Sequence, residues 1–449
     1  MKKWTLVAAA VTVVVGVSGW RLLAGHRSEW TTSSPQALAE FQAGMEDRAK
    51  LYTAEARQHF ERALELDPSF AMARLQVAFE SSRGDEQSRD RIRAVVDAAE
   101  LGRLTPRERF LFERTRAELE NRRGDVARLL DRFLEQHPED PYALHAKAVA
   151  LWFGGSLDEA KLVYQRLARV APNWVLAYNG LAYIEMQQGN FEQAEEYFFT
   201  YRFIAPDQAN PHDSLGELLI LTGRYQEAES ELEAAVITKP DFCAAYEHLV
   251  WTHLLQRRPA AAAEDVRRAS QQQQCADYTT RFGCVVSLWE PAAGHRWRDV
   301  VETAEREGCM KDGYPLDAVM LDVHRAAAML GDHELCDRIE SRLEEWSGRA
   351  REENASMLAA LWDHTRGVRQ AAAGHLVEAA RLLREADQGL TYRQSTDGTR
   401  KLLNRLCLAE VLRKAGDAEG AVAAIREVRR VNPPLAQEYE SGRWCPLGL

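Results

Sequence analysis

Glycine and proline are scarce in this chain, 27 and 15 of 449 residues. With 28% charged and 46% apolar residues, and nothing that reads as a set of alternating strands, the composition suits many short amphipathic helices. Basic charge is also in deficit. The formal net charge is −11, and binding to a nucleic-acid backbone needs concentrated Lys and Arg, so a nucleic-acid partner is not expected. Arg89, Arg91 and Arg93 do cluster, but Asp85, Glu86, Asp90 and Asp97 lie among and beside them, the pattern of a solvated helix face.

Cysteine is missing before Cys243, which excludes an acylated N-terminal cysteine. The seven cysteines are odd in number and show no framework of spacings. Cys243, Cys336 and Cys407 read as small apolar fillers within helices, and Cys275 with Cys284 is a candidate disulfide after export. Catalytic signatures are missing too: there is no phosphate-binding Gly-rich loop, no GxSxG elbow and no HExxH. His212, Asp213 and Ser214 have the residue types of a hydrolase triad, but neighbours at one helix start point in different directions and cannot form the relay. Cys275, Cys284, His295, Cys309 and His324 have irregular spacing for a metal site. No catalytic residue, metal or cofactor is expected.

Against these absences stand four regularly placed prolines. Pro138, Pro172, Pro206 and Pro240 recur every 34 residues. When the proline is numbered 32, position 8 is Ala148, Ala182, Gly216 and Val250, and position 20 is Ala160, Ala194, Ala228 and Ala262. Larger apolar residues flank these small slots, among them Tyr178, Leu181, Phe198 and Tyr201 in one unit. Ser156 with Glu159 forms a capping-box pattern, and Gly189-Asn190 and Gly223-Arg224 supply turn chemistry at the equivalent place. Each proline ends its unit because it cannot donate the hydrogen bond of a further helical turn.

This pattern resembles the tetratricopeptide repeat, an antiparallel pair of helices, A and B, that stacks into an array. The stretch Leu104–Phe110 and the segment Ala205–Glu217 are similar to repeat regions of large bacterial regulators, although no fused kinase or winged-helix domain accompanies them here. The resemblance implies an all-α fold, a right-handed α-solenoid of stacked helix-turn-helix units. Gly44 with Ala56 marks a further unit at 37–70, and Gly367 with Ala379 and Ala409 with Ala421 mark two more near the C-terminus. The expected organisation is a segment at 1–27, a polar linker at 28–36 and an array at 37–275, clearest at 37–70 and 141–242. Degenerate hairpins at 276–350 turn at Gly294 and Gly331, with His324 and Cys336 in the small slots; C-terminal units follow at 351–433 and a tail at 434–449. The run Gln271–Gln274 reads as a solvated connector.

In such an array helix A lines the concave surface through positions 2, 5, 9, 12 and 13. Those slots hold Tyr142, His145, Trp152 and Phe153, then Asn179, Tyr183 and Met186, then Asn210, Asp213 and Glu217, then Glu247 and Trp251. The series passes from aromatic to polar to acidic. It lacks the Lys, Asn and Arg set with which chaperone-binding relatives hold a C-terminal carboxylate, and it favours an apolar protein or peptide segment carrying basic residues. The competing reading is that these side chains pack against neighbouring repeats. The expected function is a non-catalytic, membrane-tethered protein-interaction scaffold; the alternative is a docking or regulatory subunit whose enzyme is another chain.

The tether rests on the uncharged stretch Trp4–Trp20, preceded by Lys2 and Lys3 and followed by Arg21. Its length lies between a signal-peptide core and a short transmembrane helix. Tryptophans at both ends and a weak cleavage pattern at Val17-Ser18-Gly19 favour an uncleaved anchor. Lys2 and Lys3 favour an extracytoplasmic array, partly opposed by Arg21 and Arg27; secretion after cleavage and a cytoplasmic-facing array are the alternatives. If the anchor is retained, native protein will fractionate with membranes, resist carbonate extraction and begin at or near Met1. A soluble mature chain starting near Trp20 would identify a cleaved signal instead.

Overall fold

The computed structural model describes residues 29–81, 86–310, 318–349 and 352–442, and all regular structure among them is helical. Two compact units divide between Ala143 and Leu144. The first contains Pro35–Ala49 (α1), Thr53–Leu66 (α2), Ala71–Glu80 (α3), Glu86–Asp97 (α4), Pro106–Leu119 (α5) and Arg123–Gln136 (α6). The division falls within Pro141–Phe153 (α7). The second unit continues with Leu157–Val170 (α8), Val175–Gln187 (α9), Phe191–Ile204 (α10), Ala209–Leu221 (α11), Tyr225–Thr238 (α12), Cys243–Leu255 (α13) and Pro259–Ser270 (α14). Ala276–Ala293 (α15), Trp297–Arg306 (α16), Ala318–Leu330 (α17), His333–Arg349 (α18), Glu352–Ala372 (α19), Leu376–Gly389 (α20), Ser395–Lys414 (α21), Ala418–Val431 (α22) and Pro433–Glu440 (α23) complete it.

One turn chemistry recurs throughout. Gly155, Gly189 and Gly223 adopt φ of 82°, 81° and 78°, and the same slot is left-handed at Asn121 and Arg257 although neither is glycine. Leu51, His295, Gly331, Gly374 and Gly416 occupy it in further hairpins among the described residues. The reversal lets the amide of the next residue return to a carbonyl in the last turn of helix A: Asn190 to Glu185 at 2.9 Å, Arg224 to Leu219 at 2.8 Å and Asp417 to Leu412 at 2.9 Å. This six-to-one bond satisfies a carbonyl that the helix end leaves open. In the looser half, Arg296 bonds Pro291 and Asp332 bonds Ala327 in the same way, both at 2.9 Å. There the left-handed residue is His295, not the glycine before it.

The small slots are buried as the pattern requires; Ala148, Ala182, Ala160, Ala194, Ala228 and Ala262 have no exposed surface. Their chief contact differs from the expected pairing of position 8 with position 20. A Cβ on Gly44, Gly216 or Gly367 would lie 2.6, 2.7 or 2.9 Å from Phe60, Leu232 or Leu383, each sixteen residues later at position 24. The large side chain of helix B therefore lies over the small residue of helix A; at Gly367 the carbonyl of Ala379, at position 20, also comes within 3.4 Å. Where position 8 is His324, position 24 is Glu340, and His324 Nε2 bonds its Oε1 at 2.9 Å.

Three local expectations change, and one lies outside the described residues. Ser156 begins α8 without a side-chain cap; the working capping box is Thr105 with Glu108 at the start of α5. Within the expected linker, Trp30 and Thr32 are buried, and Trp30 meets Phe41 edge-on at 4.9 Å in the first unit. Cys275 bonds Cys243 rather than Cys284, which bonds Cys309, so Cys243 is no free filler. Residues 1–28, with the anchor or signal segment, lie outside the described residues, among which no helix is long and apolar enough to cross a membrane.

Two substitutions test this packing in opposite directions. Gly216→Ala places its Cβ against Leu232 and is expected to cost about 1–3 kcal/mol. Leu51→Gly relieves a left-handed residue that is 53% exposed and is expected to stabilise by about 0.5–1 kcal/mol after the glycine's greater unfolded freedom is counted. Denaturant midpoints should move apart, with exposed Glu196→Ala near wild type.

Candidate functional site

The twelve expected groove residues fall into two groups. In the first unit Tyr142 lies beneath the Arg107 guanidinium at 5.4 Å and meets Trp30 edge-on at 6.1 Å. In the second, His145 lies between the rings of Tyr164 and Trp174 at 5.9 and 6.3 Å. Trp152 stacks on Phe153 and Tyr183 at 5.6 and 6.2 Å and donates from Nε1 to Gln187 Oε1 at 3.0 Å. Phe153 is 41% exposed, Trp152 and Tyr183 are partly exposed, and Met186 is buried. Asn179, one turn before Tyr183, has a buried Oδ1 with no hydrogen-bond partner.

The acidic end is not open. Asn210 is buried and donates to Tyr201 Oη at 2.9 Å; Glu247 receives Arg281 at 3.0 Å. Asp213 and Glu217 are buried around His248, which α13 directs between them. Nδ1 of His248 is 2.7 Å from Asp213 Oδ1, and Nε2 is 3.3 Å from Glu217 Oε1. Glu217 also accepts from Tyr183 Oη at 2.5 Å and from the amide and hydroxyl of Ser395 at 3.2 and 2.9 Å. Burial opposes a charged imidazole, but the two carboxylates outweigh it and hold the His248 pKa well above 6.5. Burial likewise pushes Glu217 up, yet His248, Tyr183 and Ser395 together bring it down to about 2. Asp213 is hydrogen-bonded to His248, and burial keeps its pKa raised. With both ring nitrogens donating, His248 has no lone pair with which to take a proton from Ser395. The arrangement binds elements together and is not a hydrolytic relay. His212, Asp213 and Ser214 themselves face Glu231, His248 and Tyr183 separately.

Ser395 comes from the C-terminal hairpins, which pack back against α10–α13. Gly398 brings α21 so close to α11 that a Cβ would lie 2.5 Å from Leu221. Asn432 donates to the carbonyls of Ile220 and Leu221 at 3.3 and 3.1 Å, satisfying the end of α11, while its Oδ1 accepts from Tyr225 Oη and Leu435 N, both at 3.1 Å. Arg393 lies over Phe153 at 4.8 Å, and Arg257 pairs with Glu438 at 3.4 Å. Sequence reasoning missed Ser395, His248 and Asn432. The buried His248 of α13, one repeat after two carboxylates, is the signal that could have found the first contact.

The concave slots downstream of Glu217 consequently face one another. Trp251, expected in an open groove, lines a partly enclosed cavity of about 100 Å³ with Trp289, Leu321, Leu361 and His364, across from Thr396, Thr399 and Arg400 of α21. The disulfides join α13 to the turn before α15, and α15 to the residues after α16, beside this region. They also consume the thiols of Cys275, Cys284 and Cys309, so those residues do not offer thiolate ligands.

The His248 network makes the stability of the second unit depend on pH. A raised histidine pKa contributes stability fully present below about 6.5 and lost as pH rises through the folded value. The lowered Glu217 contribution is present above its ordinary 4.5 and is lost as pH falls through about 2. His248→Gln is expected to cost about 3 kcal/mol near neutrality by leaving the carboxylates without their cation. The gap to wild type should close toward alkaline pH in thermal unfolding run from about pH 6 to about pH 10; a gap independent of pH would contradict the assignment.

Comparison with known proteins follows the same hairpins. A family model described as Tetratricopeptide repeat matches residues 112–173, 145–209 and 215–274. No curated protein sequence matches. Among solved structures, MamA 41-end from Desulfovibrio magneticus RS-1 is 17% identical, covering 37% of this chain and 93% of its own, with a TM-score of 0.33. A tetratricopeptide repeat protein from Parabacteroides merdae is 13% identical over 61% of this chain and 98% of its own, with a TM-score of 0.41. The APC/C hetero-tetramer Cut9–Hcn1 is 12% identical over 96% of this chain and 81% of that chain, with a TM-score of 0.46. The family match over residues 112–209 and 215–274, together with the recurring left-handed turn of the helical hairpins, shows tetratricopeptide repeats in this part of the chain.

Proposed function

We propose that the chain is a non-catalytic protein-interaction scaffold whose partner segment lies against Trp152, Phe153 and Tyr183. Asn179 carries the reading. Its buried Oδ1 has no donor, and it sits one helical turn from an aromatic cluster that retains exposed surface, so a partner's backbone or side-chain N–H would meet this acceptor once the amide turns outward beside apolar contact area. The partner is an apolar segment. Selection for basic residues rested on Asp213, Glu217 and Glu247, and His248 and Arg281 already occupy those carboxylates, so that preference is not retained.

Tethering through residues 4–20 and an extracytoplasmic array belong to the same proposal. Two disulfides support an oxidising compartment, where such bonds persist. The docking-subunit reading has its own support in Phe203 and Ile237. They occupy the same slot of successive B helices and are 85% and 77% exposed, a pair of apolar side chains on the outer face.

Partners crosslinked and copurified from solubilised membranes would then be titrated against variants. Trp152→Ala and Asn179→Ala are each expected to weaken binding about tenfold or more with helix content unchanged, and Phe203→Ser to leave it intact. Loss of binding in Phe203→Ser alone, with one stoichiometric partner, would favour the docking subunit.

A further inference from the structure

The cavity enclosed by the later A helices is separate from the Trp152 surface and has its own chemistry. One wall is apolar, formed by Trp251, Trp289, Leu321 and Leu361. Charge around it is mostly cancelled or removed. Asp322 pairs with Arg325 at 2.5 Å, and burial drives the His364 pKa down to about 4 while Nδ1 contacts Asn404 Oδ1 at 2.9 Å. Arg400 Nη1 reaches Asp397 at 3.3 Å, but its Nε is buried with no hydrogen-bond partner. A cation with a spare buried donor thus borders an apolar space, and the hydroxyl-bearing Thr396 and Thr399 line the same side. An unmet buried donor is costly, and a carboxylate is the acceptor that suits a guanidinium.

We propose that this cavity binds a small monocarboxylate whose apolar part is a single ring or a short chain. The carboxylate accepts from Arg400 Nε and a neighbouring threonine hydroxyl, and the apolar part lies among Trp251, Trp289 and Leu321. A space of about 100 Å³ excludes an extended peptide and is of the order that holds one small ring after modest side-chain movement. Asp322 and Asp397 disfavour a second negative charge nearby, and an uncharged hydrocarbon would leave Nε unmet. This site does not depend on the partner surface and can fail or stand independently of it.

The full chain would be titrated with benzoate and with butyrate, using benzyl alcohol as the uncharged control, by calorimetry and by thermal midpoint. At least one acid is expected to bind saturably, to raise the midpoint, and to bind about tenfold or more tightly than benzyl alcohol. Arg400→Gln should remove the preference for the acid. Leu403→Phe, which fills the cavity from α21, should abolish binding with helix content retained, and decides the matter if Arg400→Gln does not fold. No saturable effect of either acid, equal binding of benzyl alcohol, or acid binding that persists in folded Leu403→Phe would overturn the proposal.

Discussion

The second unit depends on a buried carboxylate whose donors come from distant parts of the chain. Glu217 would be costly to bury alone; it is sustained by His248 from the next repeat, Tyr183 from the preceding one and Ser395 from a helix 178 residues away. A charge in that environment tolerates little displacement of its donors. The spacing between successive A helices and the return of α21 are therefore held by the same group.

The return of α21 changes what the inner face can do. In an open array the inward slots offer a long surface, and carboxylates there would select cations from a partner. Here the carboxylates are neutralised within the chain, and the slots beyond them border a small space. The proposed recognition of an extended segment falls to the aromatic slots before Asp213, where Trp152, Phe153 and Tyr183 keep exposed surface. Under that proposal, slots that would face a partner early in the second unit correspond to slots that face the chain itself later.

Much of this was legible from spacing alone. Positions 8 and 20 had to be small wherever two helix backbones approach, so the 34-residue period identified the hairpins, and the inward slots named from it include Trp251 at the cavity. Turn glycines at 189 and 223 were also readable, because a left-handed residue is needed where helix A reverses. Arg257 and His295 were not, since neither residue type announces that conformation and local helix pairing imposes it. The disulfides were misread for a related reason. Cys275 is nearer in sequence to Cys284, but the hairpin places it 5.4 Å from Cys243 between Cα atoms.

By itself, then, the sequence determined the repeated unit, its helical composition and which side of each helix A turns inward, because these follow from short-range periodicity and the size of single side chains. What the inward side meets was decided only by tertiary structure. The contact of Ser395 with Glu217 and of Asn432 with the end of α11 join segments more than 170 residues apart, and their polar partners obey no common period. A repeat pattern specifies each nearest-neighbour step; whether the accumulated steps bring the last hairpins onto earlier ones depends on small rotations at every interface, which no local spacing records.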